Sequence, residues 1–334
     1  MQYFRDAQSA AAVGFLFSEL TSVESTVLRQ PYPQITYPQI IPVDTSAPEG
    51  IEGIAFKTLD WAGEPAPLGD KSNDFPLVSL AAGMGLVQVH TWALGYEYSM
   101  IELLKAAALA QNSRGAAIDL LAEKPLAARA ATEQWLNKTA YLGDTRNGLL
   151  GAGLVNYPTV PVVGTGTLIG GSNQTIDQII AGTDPNVVAS QLLALFNNAY
   201  LRVYITQTNT NYMPTHFLID PVTLGKLSTY RIPNTTDTLL SYLQRNIGSM
   251  GGVGSGAGVQ FVPLLQLLGA GVGGTNRMMV YTRQEGIVKF HLPMPFQLQA
   301  PATANNVTWQ AAGIVRTAGT EIRVPAANLY VDGL

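Results

Sequence analysis

The sequence holds no cysteine and only three histidines, and its four charged residue types make up 13% of 334 residues. The first absence excludes a disulfide framework and any thiolate metal site. The second leaves His90, His216 and His291, each in or beside an apolar strand-like run. None has the H-E-x-x-H spacing by which one helix face presents two imidazoles to zinc, so structural histidines are expected. The scarcity of charge matters most, because a typical domain carries about 25% charged residues. A surface this poor in charge is expected to lie against other chains, where apolar patches mark contacts; the plainer alternative is an uncharged monomer. With 19 basic against 23 acidic residues the formal charge is −4. The chain therefore has no general electrostatic grip on nucleic acid, and weak, non-specific contact is the most to expect.

Long apolar runs are also missing. None approaches the roughly 18 residues that cross a bilayer, and Ala10–Phe17, behind Arg5-Asp6, lacks a clear cleavage site. The expectation is a soluble chain made in the cytoplasm, with no membrane partner. Signatures of catalysis are absent too. Gly269-Ala-Gly271-Val-Gly-Gly274 matches G-x-G-x-x-G, but strand-like Arg277–Tyr281 follows where a helix N-terminus would have to hold a pyrophosphate. The glycine loops lack the Lys-Ser/Thr of a P-loop, and no G-x-S-x-G elbow exists. No catalytic, metal or cofactor residue is assigned, and the chain is read as a non-enzyme. An α/β enzyme with an unrecognised site stays as an alternative; convergent polar groups with shifted pKa in one pocket would favour it.

What is present is organised around residues 99–144. Ser99 and Glu102 have capping-box spacing, and Ile101, Leu104 and Ala108 follow at helical period. Asn112-Ser113 and Gly115 interrupt the pattern, which resumes from Ile118 to Leu136. Pro125 either kinks a helix that starts near Ala116 or opens one of its own. Gly143-Asp144 ends the segment.

Upstream lie two extensions that cannot bury their own apolar residues. Val13, Leu16, Phe17 and Leu20 suggest helix within Ala7–Val27. Tyr-Pro-Gln-Ile then occurs twice, at 32–35 and 37–40, and prolines 31, 33, 38 and 42 forbid helix and favour extended backbone. Ile54–Trp61 and Leu86–Trp92 read as strands around a long, breaker-rich connection. A two-stranded projection is marginal alone in water. Tyr32, Ile35, Tyr37, Ile40, Trp61, Leu68 and Phe75 are therefore candidate inter-subunit contacts. Downstream, Asp184-Pro185 and Asp220-Pro221 cap helices, Thr238–Asn246 is helical, and Met250–Gly258 is a glycine loop. Phe217–Ile219, Gln260–Leu268, Arg277–Arg283, Ile287–Leu292, Thr308–Arg316 and Glu321–Val324 read as strands.

This order of parts resembles the Hong Kong 97-like fold of tailed-bacteriophage and prophage major capsid proteins. The runs Leu59-Asp-Trp-Ala-Gly63, Thr91-Trp-Ala-Leu-Gly-Tyr-Glu-Tyr-Ser99, Ala140-Tyr-Leu-Gly-Asp144, Gly148-Leu-Leu and Glu321–Gly333 carry the resemblance, which covers nearly the whole chain. It implies an α+β fold with an N-arm (1–48), an E-loop hairpin with flanking strands (49–98), a peripheral domain with a spine helix (99–183), an axial domain (184–275) and strands completing both domains (276–334). The implied function is a virion capsid shell: pentamers and hexamers of this chain enclosing double-stranded DNA, assembled in the host cytoplasm, with portal, scaffold and decoration proteins as further partners. An encapsulin-like shell around protein cargo is the near alternative. Some phages of this fold cross-link a hairpin lysine to a neighbour's asparagine. Lys57 and Lys71 are the hairpin lysines here and Asn328 a conceivable partner, but the chemistry needs a buried carboxylate that the sequence does not place, so no cross-link is expected.

Overall fold

The computed structural model describes residues 32–67, 77–112, 120–144, 146, 148–249 and 258–334. The helix expected within 7–27, the hairpin residues Leu68, Lys71 and Phe75, and the glycine run from Met250 to Ala257 lie outside the described residues.

In chain order the elements are α1 (Tyr37–Ile40), β1 (Val43–Asp44), β2 (Gly53–Ala62), β3 (Ser79–Gln88), β4 (His90–Ala93), β5 (Tyr96–Ser99), α2 (Met100–Asn112), α3 (Leu120–Leu142), β6 (Val162–Gly164), α4 (Thr165–Ile169), α5 (Ile176–Ile180) and α6 (Pro185–Leu201), which runs on into a π turn at Arg202–Gln207. There follow β7 (His216–Ile219), α7 (Pro221–Thr229), α8 (Leu239–Ser249), β8 (Gln260–Pro263), β9 (Arg277–Tyr281), β10 (Val288–His291), β11 (Met294–Leu298), β12 (Ala302–Asn305), β13 (Thr308–Ala311), β14 (Gly313–Thr317), β15 (Gly319–Ile322) and β16 (Asn328–Asp332). The described chain forms two units. Of the described residues, the larger comprises those within 35–92, 135–295 and 316–334, and the smaller those within 32–34, 93–134 and 296–315.

The core of the larger unit is a five-stranded sheet in the order β6-β16-β9-β7-β8, with parallel pairs at both edges and antiparallel pairs between. Every residue of β9 and β16 is buried. A strand covered on both faces needs a continuous apolar run, which Met278–Tyr281 and Leu329–Val331 supply. α6 lays Leu192, Leu195, Phe196 and Ala199 into this core beside Leu239, Leu243 and Ile247 of α8. The two Asp-Pro caps form as expected: Asp184 accepts from Asn186 N–H and Asp220 from Thr223 N–H, each with proline in the first turn. Arg277 and Asp332 face each other across β9 and β16. Arg277 Nε donates to Asp332 Oδ1 at 2.6 Å, Nη2 to Oδ2 at 2.8 Å and Nη1 to Val155 O at 2.8 Å. The guanidinium also lies 4.6 Å from the centre of the Tyr330 ring.

α3 is described from Leu120 to Leu142 and takes Pro125 inside, so the helix does not open at Pro125. Pro125 removes one i→i−4 bond and leaves the rest intact. Twenty-three residues at about 1.5 Å each give roughly 35 Å. Gly143 ends the helix at φ +73°, where a Cβ would lie 2.3 Å from Leu150 O. Asp144 then accepts from Trp135 Nε1 and from Arg146 N–H. In the smaller unit β12, β13 and β5 pair in that order, with Tyr96, Tyr98 and Trp309 stacked on one face. The Ser99–Glu102 capping box closes, and Lys124 ties Glu102 to the carbonyl of Glu97.

Several strand expectations need correction. The run 260–268 is a strand only to Pro263, where a 3-10 turn at Leu265–Leu267 takes over. The run 308–316 is two strands, β13 and β14. β5, β12 and β16 fall outside the strand-like runs of the sequence, and β16 lies inside the main sheet between β6 and β9. The glycine- and threonine-rich stretch 145–183 contains α4 and α5, the latter opened by a capping box of Thr175 and Gln178.

Candidate functional site

The surface most in need of a partner is the β2–β3 hairpin. Its ten antiparallel pairs run unbroken from Gly53↔Gln88 to Ala62↔Ser79. Directly opposed residues share a face of a ribbon, and successive residues alternate. One face therefore gathers Leu59, Trp61, Leu80, Met84 and Leu86, together with Lys57. These five apolar side chains are all more than 60% exposed. The opposite face holds Thr58, Asp60, Ser79, Ala81 and Gly83 towards the tip, and at the base Ile54, Phe56 and Val87, which are half-buried. The large apolar side chains that the chain itself leaves in the open thus gather on the first face. Burying large apolar side chains contributes about 1.5–3 kcal/mol each before the cost of association.

The N-terminal extension divides in two. Tyr32 is 70% exposed and Ile35 37%, and both remain available for contact. Tyr37 and Ile40 do not: they are buried within their own chain, at 4% and 3%, which corrects their assignment to a neighbour. The expectation that the prolines forbid helix here also fails, because Pro38 sits in the first turn of α1, where no N–H is needed. Asn137 of α3 accepts from the backbone N–H of both Thr36 and Tyr37 at 3.0 Å. Thr36 Oγ1 meets Tyr141 OH at 2.8 Å, Tyr281 OH donates to Ile40 O at 2.8 Å, and Tyr37 packs edge-on against Phe290. Burial pushes the Tyr141 phenol up to about 12 against the pull of its Thr36 bond. The segment anchored on its own chain thus begins at Thr36. Sequence reasoning missed this anchor because Asn137 lies 100 residues away.

Trp61 and Lys57 stand exposed on the ribbon, as a contact or cross-link would require. Asn328 does not. It is fully buried at the start of β16, its Nδ2 donating to Val324 O at 2.9 Å, so no lysine of a neighbour reaches it while the sheet is intact. In the smaller unit, Met100, Ile101 and Leu104 form a second exposed apolar strip, on α2. Of the helix cations, Lys124 is engaged as described, Lys105, Arg129 and Lys138 are exposed, and Arg114 lies outside the described residues. His216, half-buried on β7, meets Thr215 Oγ1 through Nδ1; burial and then the Arg283 charge lower it to about 4. Among the described residues no group of three His, Asp or Glu side chains could hold a metal.

This architecture is the Hong Kong 97-like fold. The structure is similar to the capsid of Myoviridae phage XM1, with a TM-score of 0.75 at 17% identity, covering 95% of this chain and 98% of that one. A chain of Microbacterium phage Oxtober96 aligns with a TM-score of 0.57 at 11% identity (95% and 97% covered), and one of Mycobacterium phage Ogopogo with 0.52 at 13% (95% and 97%). No curated protein matches the sequence. The profile of the major capsid protein family matches residues 64–334, and the chain belongs to that family. It is a phage capsid subunit whose first partner is another copy of itself, and the family places it in the virion capsid. This favours the phage reading over an encapsulin-like shell.

Proposed function

We propose that this chain closes into pentamers and hexamers of an icosahedral shell around the double-stranded DNA of a tailed phage, without catalytic activity. The hairpin is the E-loop and lies, apolar face down, on the adjacent subunit. The observation that carries this is the exposed face of the ribbon: five large apolar side chains stand open on it, whereas Ile54, Phe56 and Val87 of the other face are half-buried at the base. Tyr32 and Ile35, with Leu68 and Phe75 of the hairpin connection, extend the same contact. Residues 1–34 form the free N-arm, α3 the spine of a peripheral domain, and 184–275 most of an axial domain whose glycine loops meet at capsomer centres. Heterologous contacts that close into rings produce such assemblies. Portal, scaffold and decoration proteins are further partners, and assembly proceeds in the host cytoplasm. Contact with packaged DNA is weak, since the chain is net acidic and Lys124 is already paired.

The test is the double substitution Leu59→Asp and Trp61→Asp, with Ala81→Lys, directly across from Asp60 on the opposite face, as control. Electron microscopy and sedimentation should show folded subunits that form no closed shells in the first case and shells in the second. Shells at normal yield from the double variant would refute the reading.

A further inference from the structure

Two buried polar atoms of one cluster in the larger unit, His291 Nδ1 and Glu321 Oε1, meet no hydrogen-bond partner among the described residues. His291 is fully buried. Its Nε2 lies 2.7 Å from Glu321 Oε2, and the same oxygen accepts from Arg323 Nε at 3.0 Å. One oxygen of this carboxylate thus takes both donors and the other none. On its far side, His291 Nδ1 is 3.6 Å from Asp44 Oδ2, too long for a hydrogen bond. Asp44 is held instead by Lys289 Nζ at 2.6 Å and by Ser46. Beyond Glu321 the line continues, for the Arg323 guanidinium lies 4.8 Å from the centre of the Phe56 ring. Phe56 in turn sits over Gly85 of the paired strand, where a Cβ would come within 2.4 Å of the ring.

The five side chains Asp44, His291, Glu321, Arg323 and Phe56 therefore run from β1, where the N-terminal extension joins the body, to β2 in the hairpin. A fully satisfied buried network is rigid, and this one is satisfied only in part. Rotating the Glu321 carboxylate would give each oxygen one donor and move Arg323 against Phe56. A small shift of β1 would change the 3.6 Å separation between Asp44 Oδ2 and His291 Nδ1. The hairpin has room to respond: a groove of about 740 Å³ at its base is lined by Glu52, Gly53, Leu86, Val89, His90 and Arg316 among others.

We propose that this relay is a two-position coupling, in which movement of β1 resets Glu321 and Glu321 sets the angle of the hairpin through Arg323 and Phe56. A neighbour seated on one extension would then be felt at the other. That consequence rests on the shell reading, whereas the coupling itself belongs to the single chain and is tested there.

Hydrogen exchange on the unassembled full chain provides the test. The amides of Phe290 and Leu292, bonded to Pro42 O and Asp44 O, report on β1; the amide of Val89, bonded to Glu52 O, reports on the hairpin base. Phe56→Leu should speed exchange at Phe290 and Leu292 about fivefold, and Asp44→Asn should do the same at Val89, the lower end of ordinary coupling between sites. Glu321→Gln should loosen both. Arg316, which holds the hairpin base through Glu49 O, Ile51 O and Thr91 Oγ1 but stands outside the relay, is the control. Arg316→Lys should speed Val89 alone. Unchanged protection of β9 and β16 verifies the fold in each variant. If Phe56→Leu and Asp44→Asn each act only on their own element, or if Arg316→Lys loosens Phe290 and Leu292 as much as Phe56→Leu does, there is no relay. Should Glu321→Gln fail to fold, the Phe56 and Asp44 variants decide alone.

Discussion

The pair formed by Arg277 and Asp332 offers the sharpest energetic test of the main sheet. Both side chains are about nine-tenths buried, at 10% and 8% exposure. The guanidinium makes two bonds to the carboxylate and one to Val155 O, and Asp332 Oδ2 also accepts from Val272 N–H at 3.0 Å. Asp332→Asn keeps the shape but strips the charge and turns one acceptor into a donor aimed at Arg277. Removing one partner of a buried ion pair leaves the other charge uncompensated, at a cost of about 3–5 kcal/mol. For a unit of this size that lowers Tm by roughly 2–4 °C per kcal/mol, or about 6–20 °C. Replacing both partners, as Arg277→Met with Asp332→Leu, should restore much of the loss, because the desolvation of two charges is then avoided. The assay is calorimetric or fluorescence melting of the unassembled chain. Moderate salt should barely alter the effect, since buried charges are poorly screened. A loss below about 1 kcal/mol for Asp332→Asn, or a double variant no better than the single, would show that the pair does not hold β9 to β16 as argued.

Three further outcomes follow from the same geometry. Asn137→Ala orphans the N–H groups of Thr36 and Tyr37 and should cost about 1–3 kcal/mol; it should also expose Tyr37–Ile41 to limited proteolysis, while deletion of residues 1–34 should leave melting unchanged. Acid should destabilise the chain in two stages. His216 is held below its ordinary 6.5, at about 4, by burial and then by Arg283, so its neutral form favours the fold above pH 6.5 and that contribution is lost as pH falls towards 4. Asp44 and Glu321 are lowered despite burial, by Lys289 and Ser46 and by His291 and Arg323 respectively, so their contributions disappear at still lower pH. A His216→Gln variant whose Tm falls as steeply between pH 6.5 and 4 as the parent's would refute this assignment. Finally, mature particles should run as monomers on a denaturing gel, and Asn328→Asp should change nothing there, because Asn328 is buried; a ladder of covalent oligomers abolished by Lys57→Arg would overturn that expectation.

Local chemistry was legible in the sequence wherever cause and effect lie within a few residues. The Asp-Pro caps before α6 and α7, the Ser99–Glu102 box and the Gly143 stop all act across one helical turn, so spacing alone announces them. Alternation marked β2, and the scarcity of charge marked a surface meant to be covered. The order of these parts was enough to suggest the capsid family. Tertiary structure decided what depends on distant partners. Tyr37 and Ile40 are core residues because Asn137, Tyr281 and Phe290 wait for them, whereas Tyr32 is left exposed among the described residues. Asn328 reads as a polar terminal residue until β16 is seen beside β9. Lys289 and Glu321 meet their partners, Asp44 and His291, only in the folded chain. The apolar face of the hairpin required both strands in register, since Leu59 and Trp61 join Leu80, Met84 and Leu86 only through ten cross-strand pairs. Sequence records which side chains need a partner; the fold alone determines which of them find it at home and which must look to another subunit.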